Sequence, residues 1–225
     1  MRTKLCVSLI GKSIRELEEK AEKALGLGAD LIEFRLDHIE KLDVRMIKDL
    51  LSSYAERSIV TLRPSWEGGG YDGSEEKRLE ILEKLSEEKP LYMDLELGTS
   101  GLEKISRLLR ERSKLIISRH DFSKTPDERA LRLDAVKALS YGDIAKIVTT
   151  ARSFSDNLRI LSLYRNGVPP ERLIAFAMGE NGIVSRIISP ILGAPIAYAC
   201  LPGERTAPGQ LAFQEFNELL RMVMG

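Results

Sequence analysis

One lysine occupies a position where a charged side chain is unusual. Lys146 lies within Asp143-Ile-Ala-Lys-Ile-Val-Thr149, flanked by small and apolar residues. A short run of that composition is typical of a buried β-strand. Burial would lower the pKa of the amine toward the range in which its neutral, nucleophilic form can condense with a ketone or aldehyde. The alternative is a lysine at a strand end that pairs with a carboxylate.

A histidine ends the apolar run that comes before this lysine. His120 closes Ile116-Ile-Ser-Arg-His120, so it would stand on the rim of the strand adjacent to Lys146. Because imidazole titrates near neutrality, we interpret His120 as a proton shuttle. The other histidine, His38, is interpreted as an incidental loop residue. No Cys/His cluster in the sequence has metal-ligand spacing, and we expect neither a metal nor an organic cofactor.

Charged and apolar residues alternate in three further strand-like runs. Because successive side chains of a strand point to opposite faces, the apolar set can face surrounding helices while the charged set faces inward. Buried charges need partners, so we predict one interior network. A substrate-binding role is favoured for three of its members, whereas a structural ion pair remains equally open for the other two. The first three are Glu33, Arg35 and Arg63, and the other two are Asp94 and Glu96.

Three segments that follow predicted strands add polar groups. Glu67 precedes three glycines, and Arg186 ends Asn181-Gly-Ile-Val-Ser-Arg186. Arginine can pair with a carboxylate through two parallel hydrogen bonds. The stretch 203–210 is rich in glycine, proline and polar residues, which fits a mobile lid or a plain connector.

The elements that would position these residues alternate along the whole chain. Helical periodicity is present at 13–25, 75–85, 102–112 and about 210–223, and Asp127 marks a further helix start. The pattern predicts a single α/β domain over residues 1–225, a (β/α)8 TIM barrel, with an open doubly wound sheet as the alternative. The eight predicted strands are 5–10, 30–37, 58–63, 91–97, 114–120, 143–149, 173–178 and 196–201.

Bulk composition excludes some classes of partner. The 34 basic and 34 acidic side chains give a net charge of zero, which provides no global attraction to nucleic acid or to an anionic membrane. The apolar runs are far shorter than a membrane span, and the N-terminus leaves no room for a signal peptide. Cys6 and Cys200 are expected to be buried thiols rather than a disulfide, and the cytoplasm is the expected location.

Six strings, in order along the chain, resemble the motifs of type I 3-dehydroquinate dehydratases. Each string by itself is weak, but together they run from the second strand to the last helix. They are Glu33-Phe-Arg-Leu-Asp37, Thr61-Leu-Arg-Pro-Ser-Trp-Glu-Gly-Gly69, Ser118-Arg-His-Asp-Phe122 with Lys124-Thr-Pro126, Lys146-Ile147, Ser185-Arg186 and Ala207-Pro-Gly-Gln210.

The resemblance implies a homodimeric shikimate-pathway lyase that converts 3-dehydroquinate to 3-dehydroshikimate without metal or cofactor. It also implies a role for each matching residue. Lys146 would form the imine, His120 would be the acid and base, and Glu67 would orient it. Ligands for the substrate carboxylate and hydroxyls would be Arg186, Glu33, Arg35, Arg63, Thr206 and Gln210.

The sequence departs from the family pattern in three places. An N-terminal extension common in bacterial members is missing before the first strand, Val148-Thr-Thr-Ala-Arg152 replaces the usual string, and Thr206 stands where serine is frequent. Two rival functions remain at this point. One is another Schiff-base barrel such as a class I aldolase, although no Gly-rich phosphate loop follows the last two strands. The other is a non-catalytic barrel that binds a small carboxylate.

Overall fold

The computed structural model describes residues 3–165, 167–204 and 207–224 of the chain. Eight parallel strands form one sheet, and each predicted strand is confirmed with its ends shifted by at most two residues. The strands are β1 Lys4–Ile10, β2 Leu31–Arg35, β3 Ser58–Thr61, β4 Tyr92–Glu96, β5 Lys114–His120, β6 Ile144–Thr150, β7 Leu173–Met178 and β8 Ile196–Ala199.

The helices lie between the strands, and side-chain caps fix several of their starts. Ser13, Asp43, Ser74 and Asp127 each accept a hydrogen bond from a backbone N–H of the first turn. The helices are α1 Ile14–Gly26, α2 Val44–Tyr54, α3 Glu75–Ser86, α4 Leu102–Arg110, α5 Glu128–Tyr141, α6 Ser155–Leu161, α7 Ile183–Ile191 and α8 Phe213–Met224.

The sheet curls into a nearly closed barrel, as expected for eight strand–helix units. The strand order is β7-β6-β5-β4-β3-β2-β1-β8, and all seven ladders are parallel. No ladder joins β7 to β8 within the described ranges, so the remaining seam lies between these two strands. The open doubly wound alternative is therefore wrong.

The alternation within the strands divides the core into two layers. Val60, Met93 and Leu95 pack outward against the helices in a large apolar cluster. Inward-facing residues such as Ile59, Tyr92 and Ile174 form a second cluster inside the barrel. Above this inner cluster the inward positions become charged, and the carboxyl ends of the strands therefore carry the polar groups.

Two element boundaries differ from the predicted ones for identifiable reasons. β2 ends at Arg35 because Leu36–His38 form a 3-10 turn. α8 begins at Phe213 rather than near residue 210, because the preceding segment runs beside β8 and the Phe213 N–H bonds to the Cys200 carbonyl. Cys6 and Cys200 are both buried thiols. Across the described ranges, no helix combines the length and apolarity that a membrane crossing requires.

Candidate active site

A cavity of about 390 Å³ opens at the carboxyl ends of the strands. This is the end of a barrel at which strand termini and loops can converge on a bound molecule. The predicted site residues that line it are Glu33, Arg35, Arg63, Glu67, His120, Lys146, Arg186 and Gln210. Thr206, the remaining predicted member, falls outside the described residues.

Lys146 lies in the middle of β6 and is only 5% exposed. Its Nζ lies 3.1 Å from Asp94 Oδ2 and 3.4 Å from Glu33 Oε1, and 4.2 Å from the ring centre of Tyr198. A buried ammonium group is thus compensated by two carboxylates and an aromatic face. The same surroundings suit an iminium nitrogen, which is also cationic.

The predicted interior network is confirmed for four of its five members. Arg63 donates to Asp94 at 3.0 Å and to Glu96 at 2.8 Å. Asp94 also pairs with Lys146, which in turn pairs with Glu33. Burial alone would raise the pKa of Asp94, but Arg63 and Lys146 outweigh it and hold this pKa below its usual range. The pKa of Glu33 is lowered in the same way, because Lys146 and Arg35 outweigh burial.

The fifth member, Arg35, lines the same cavity and its charge helps to stabilise the Glu33 carboxylate, but its hydrogen bonds go to a residue outside the predicted five. Its guanidinium forms a two-point pair with Asp37, at 2.9 and 2.8 Å. Asp37 belongs to the 3-10 turn after β2 rather than to the strand, so its carboxylate folds back beside Arg35. Asp37 also accepts from the Gly70 N–H at 2.9 Å, which connects the β2 end to the glycine-rich loop after β3.

His120 and Glu67 are in direct contact. Glu67 Oε1 accepts the backbone N–H of His120 at 2.5 Å and lies 3.4 Å from its Nδ1. Burial, together with the nearby cations Arg63 and Lys146, lowers the pKa of His120 well below its ordinary value. The pKa of Glu67 is raised by burial, an effect that its hydrogen bond from His120 partly offsets. The imidazole is therefore held as a neutral base with Nδ1 facing the carboxyl group.

The glycine after Glu67 explains how the loop brings this carboxyl group to His120. Glu67 ends a 3-10 turn, and Gly68 follows it with φ of 74°. A side chain at Gly68 would collide with the ring of Phe122. Phe122 in turn stacks on His120, with ring centres 6.0 Å apart.

Arg186 is buried at the seam of the barrel, on α7. Its Nη2 donates to the Pro208 carbonyl at 3.2 Å, and its guanidinium lies 4.3 Å from the ring centre of Phe176. Nε is buried without a hydrogen-bond partner, and burial lowers the pKa of the group to about 10. An orphaned donor on a buried cation points to an anion that completes the site.

The loop between β8 and α8 closes one side of the cavity. Gln210 Nε2 donates to the Ala199 carbonyl at 2.9 Å, so this side chain is anchored to the end of β8. The Gly179 N–H bonds to the Pro208 carbonyl and connects the loop to the end of β7. The segment 207–210 therefore bridges the seam between β7 and β8.

Several cavity residues were missed from the sequence. His38, interpreted as incidental, lines the cavity with its Nε2 3.3 Å from Asp37 Oδ2. Apolar strand positions carried no signal of their own, because an inward-facing aromatic near the mouth looks like any core residue. The other lining residues without a predicted role include Ser8, Phe122, Phe176, Met178 and Tyr198.

The arrangement combines an amine nucleophile, a neutral imidazole and a buried guanidinium around one cavity. Within residues 3–165, 167–204 and 207–224 no group of three or more His, Cys, Asp or Glu side chains could hold a metal ion. An amine can form an imine with a ketone, and an imidazole can move a proton at the adjacent carbon.

Comparison with known proteins identifies relatives along nearly the whole chain. A family model described as type I 3-dehydroquinase matches residues 5–225. The 3-dehydroquinate dehydratase of Methanopyrus kandleri is 38% identical over 223 residues, which cover 97% of this chain and 99% of that protein.

Two solved structures show the same architecture. The Aquifex aeolicus 3-dehydroquinate dehydratase is 31% identical with a TM-score of 0.84, covering 98% of this chain and 99% of that one. The Clostridium difficile type I 3-dehydroquinate dehydratase, solved with covalently modified comenic acid, is 25% identical with a TM-score of 0.89. That match covers 99% of this chain and 92% of the other.

Proposed function

The chain belongs to the type I 3-dehydroquinases, hydro-lyases of the shikimate pathway, and we propose that it dehydrates 3-dehydroquinate through a Schiff base on Lys146. The observation that carries this proposal is the buried Lys146 amine, which shares one cavity with a neutral His120 and a partly unsatisfied Arg186. The product would be 3-dehydroshikimate and water.

The lysine supplies the electron sink. The Lys146 ammonium first gives up a proton, and the neutral amine attacks the substrate ketone. Return of that proton to the carbinolamine hydroxyl lets it leave as water, and an iminium remains. Glu33 and Asp94, which compensate the ammonium in the free protein, compensate the iminium as well. The positive nitrogen withdraws electrons from the neighbouring carbon and makes its C–H bond acidic.

His120 moves the proton. As a neutral base it takes the proton from that carbon, and the resulting enamine expels the hydroxyl group on the next carbon. The hydroxyl leaves as water with the proton that His120 took, so one residue serves as base and then as acid. Hydrolysis of the conjugated iminium releases 3-dehydroshikimate and restores the Lys146 amine.

Glu67 holds His120 for both steps. Because its carboxyl group binds the backbone N–H and faces Nδ1, it fixes the ring orientation and leaves Nε2 for the substrate. A proton gained on the imidazole is stabilised by a carboxylate at this distance. Glu67 therefore acts through His120 rather than on the substrate.

The remaining lining groups bind the substrate. We assign the carboxylate to Arg186, whose Nε has no protein partner. Glu33, Arg35 and Arg63 are assigned to the ring hydroxyls, with Gln210 completing the site from the segment before α8. A substrate contact of Thr206, which lies outside the described residues, stays what the resemblance implies. A class I aldolase acting on a phosphorylated sugar is less well supported, because the anion site assigned here is an arginine on a helix and no glycine-rich phosphate loop follows the last two strands in the sequence.

Trapping with borohydride tests the proposal. Borohydride added with 3-dehydroquinate should reduce the imine to a stable secondary amine, seen as a covalent mass increase on the peptide that carries Lys146. Lys146→Ala should abolish both the adduct and turnover. Lys114→Ala is the matched control, because this exposed lysine opens β5 at the opposite end of the barrel.

The contrary result would be equally clear. Turnover with no adduct on Lys146 would exclude the Schiff base while leaving the dehydratase activity intact. No formation of the enone product, followed by its ultraviolet absorbance, would exclude the activity itself. Homodimerisation, which the resemblance implies, and a cytoplasmic location, which the composition and cysteine usage suggest, stay predictions. Sedimentation of the purified chain tests the first.

A further inference from the structure

A second arginine lies fully buried behind the substrate cavity. Arg78 is on α3, outside the barrel, yet it is 0% exposed and does not line the cavity. Its Nη1 donates to Glu96 Oε2 at 2.7 Å and to the Leu62 carbonyl at 3.2 Å, and its Nη2 donates to Thr99 Oγ1 at 3.0 Å. A helix side chain thus reaches the carboxyl ends of β3 and β4.

Two of these contacts converge on one cavity residue, Arg63. Glu96 uses its second oxygen to accept from Arg63 Nη1 at 2.8 Å, so the carboxylate is shared between the two arginines. The Leu62 carbonyl belongs to the residue directly before Arg63. Arg78 therefore constrains both the side-chain partner and the backbone of the arginine that faces the substrate.

Charge reinforces this dependence. Burial raises the pKa of Glu96 and disfavours its ionised form, and the charges of Arg63 and Arg78 partly offset this effect. Without Arg78, the Glu96 carboxylate would be left with Arg63 as its cationic partner, and Arg63 also pairs with Asp94 through its other terminal nitrogen. Removing one partner from a buried, hydrogen-bonded network weakens the remaining contacts more than a surface change would.

We propose that Arg78 is a positioning residue that acts through Glu96 and the Leu62 carbonyl to aim the Arg63 guanidinium at the substrate hydroxyls. The proposal rests on the substrate contact of Arg63 assigned under the proposed function. It also gives Glu96 a role: Glu96 transmits the position of α3 to the cavity. Asp94 contacts Lys146 directly and stabilises its charged amino group.

A purely structural role for Arg78 predicts a different effect of its loss on KM and kcat. If Arg78 only anchors α3 to the barrel, its loss lowers the melting temperature and leaves KM and kcat of the folded enzyme unchanged. If it positions Arg63, its loss weakens substrate binding while Lys146 still forms the imine. Comparing KM with kcat well below the melting temperature therefore distinguishes a structural role from a positioning role.

The experiment is a double-mutant cycle on the whole chain with 3-dehydroquinate. Arg78→Met and Glu96→Gln should each raise KM at least about fivefold with kcat changed less than about twofold, and the Arg78 effect should largely disappear in the Glu96→Gln background. Arg78→Lys keeps the charge but has one nitrogen in place of the three of the guanidinium, and it supplies the comparison if the Met variant does not fold. Glu75→Gln is the matched control, since Glu75 pairs with Arg78 on the solvent side without touching Glu96.

The outcomes distinguish the positioning role of Arg78 from the substrate contact of Arg63 on which it rests. Arg63→Met with an unchanged KM would remove the assigned substrate contact of Arg63, and the positioning proposal with it. Arg63→Met with a raised KM, together with wild-type KM in Arg78→Met and Arg78→Lys, would overturn the positioning role alone. Additive effects of Arg78→Met and Glu96→Gln would show that the two residues act separately, and would also overturn it.

Discussion

Replacing Arg186 with methionine should weaken the enzyme and stabilise the protein at the same time. The reason lies in how the residue is buried: its charge has no carboxylate partner in the described part of the chain, and its Nε has no acceptor. Methionine has a similar length and no charge, so Arg186→Met removes the cation with little loss of packing.

The two magnitudes follow from the contacts of Arg186. A pKa lowered to about 10 corresponds to about 3 kcal/mol against holding the charge in the fold. The contact with the Phe176 ring and the hydrogen bond to Pro208 each offset about 1 kcal/mol of this cost. The variant should therefore gain about 1 kcal/mol in free energy of unfolding. For a chain of this size that is a rise of about 2 to 4 °C in melting temperature.

Substrate binding should change in the opposite direction. A charge-assisted, two-point contact with a carboxylate in a buried site contributes about 2 to 3 kcal/mol, which predicts a rise in KM of about 30- to 150-fold. Steady-state assays of enone formation give KM, and thermal unfolding without substrate gives the stability. Arg129→Met, on the exposed surface of α5, is the control that should change neither quantity.

Either measurement can refute the reasoning. An unchanged KM would show that Arg186 does not hold the substrate carboxylate. A fall in melting temperature would show that the buried charge is stabilised in the free protein, so that the orphaned donor is no sign of a missing anion.

Three further predictions concern the rest of the site. His120→Ala should still trap the imine with borohydride but turn over at least about 100-fold more slowly, and near-normal turnover would remove His120 from the mechanism. Burial and nearby cations lower the pKa of His120, so the imidazole becomes protonated only at lower pH. The acid limb of kcat/KM should therefore lie below about pH 6.5. An acid limb at or above that pH would contradict this prediction. Tyr198→Phe removes a buried hydroxyl with no partner and should stabilise the protein by about 1 kcal/mol without loss of imine trapping, which a lower melting temperature would disprove.

The fold could be predicted from the sequence because its periodicities are strong. Eight apolar runs separated by amphipathic segments indicate one barrel. The alternation of apolar and charged residues, as in Ile32-Glu33-Phe34-Arg35, indicates which positions face inward. Lys146 and His120 could be placed side by side because consecutive strands of a barrel are neighbours. The register pairs Ser118 with Lys146 and His120 with Val148, which confirms that adjacency.

Contacts that depend on how the chain turns or how a helix packs could not be predicted in this way. Arg35 pairs with Asp37 because the chain turns immediately after β2, and the alternation of charged and apolar residues does not show this contact. Arg78 belongs to an amphipathic helix whose charged residues are expected to face solvent, and nothing in its spacing shows that it turns inward to Glu96. Tertiary packing, rather than local pattern, decides such contacts.

The distribution of buried charge argues for the class of substrate. Among the buried cations of the described residues, Arg63, Arg78 and Lys146 each pair with a carboxylate, whereas Arg186 pairs with none. One unmatched cation suits a substrate with a single negative charge, and a phosphorylated sugar would bring more charge than this site compensates. A protein that only binds a carboxylate would need Arg186 but would gain nothing from a buried amine beside a neutral imidazole. Arg186 and Lys146 together therefore favour a ketone that carries one carboxylate, the chemical description of 3-dehydroquinate.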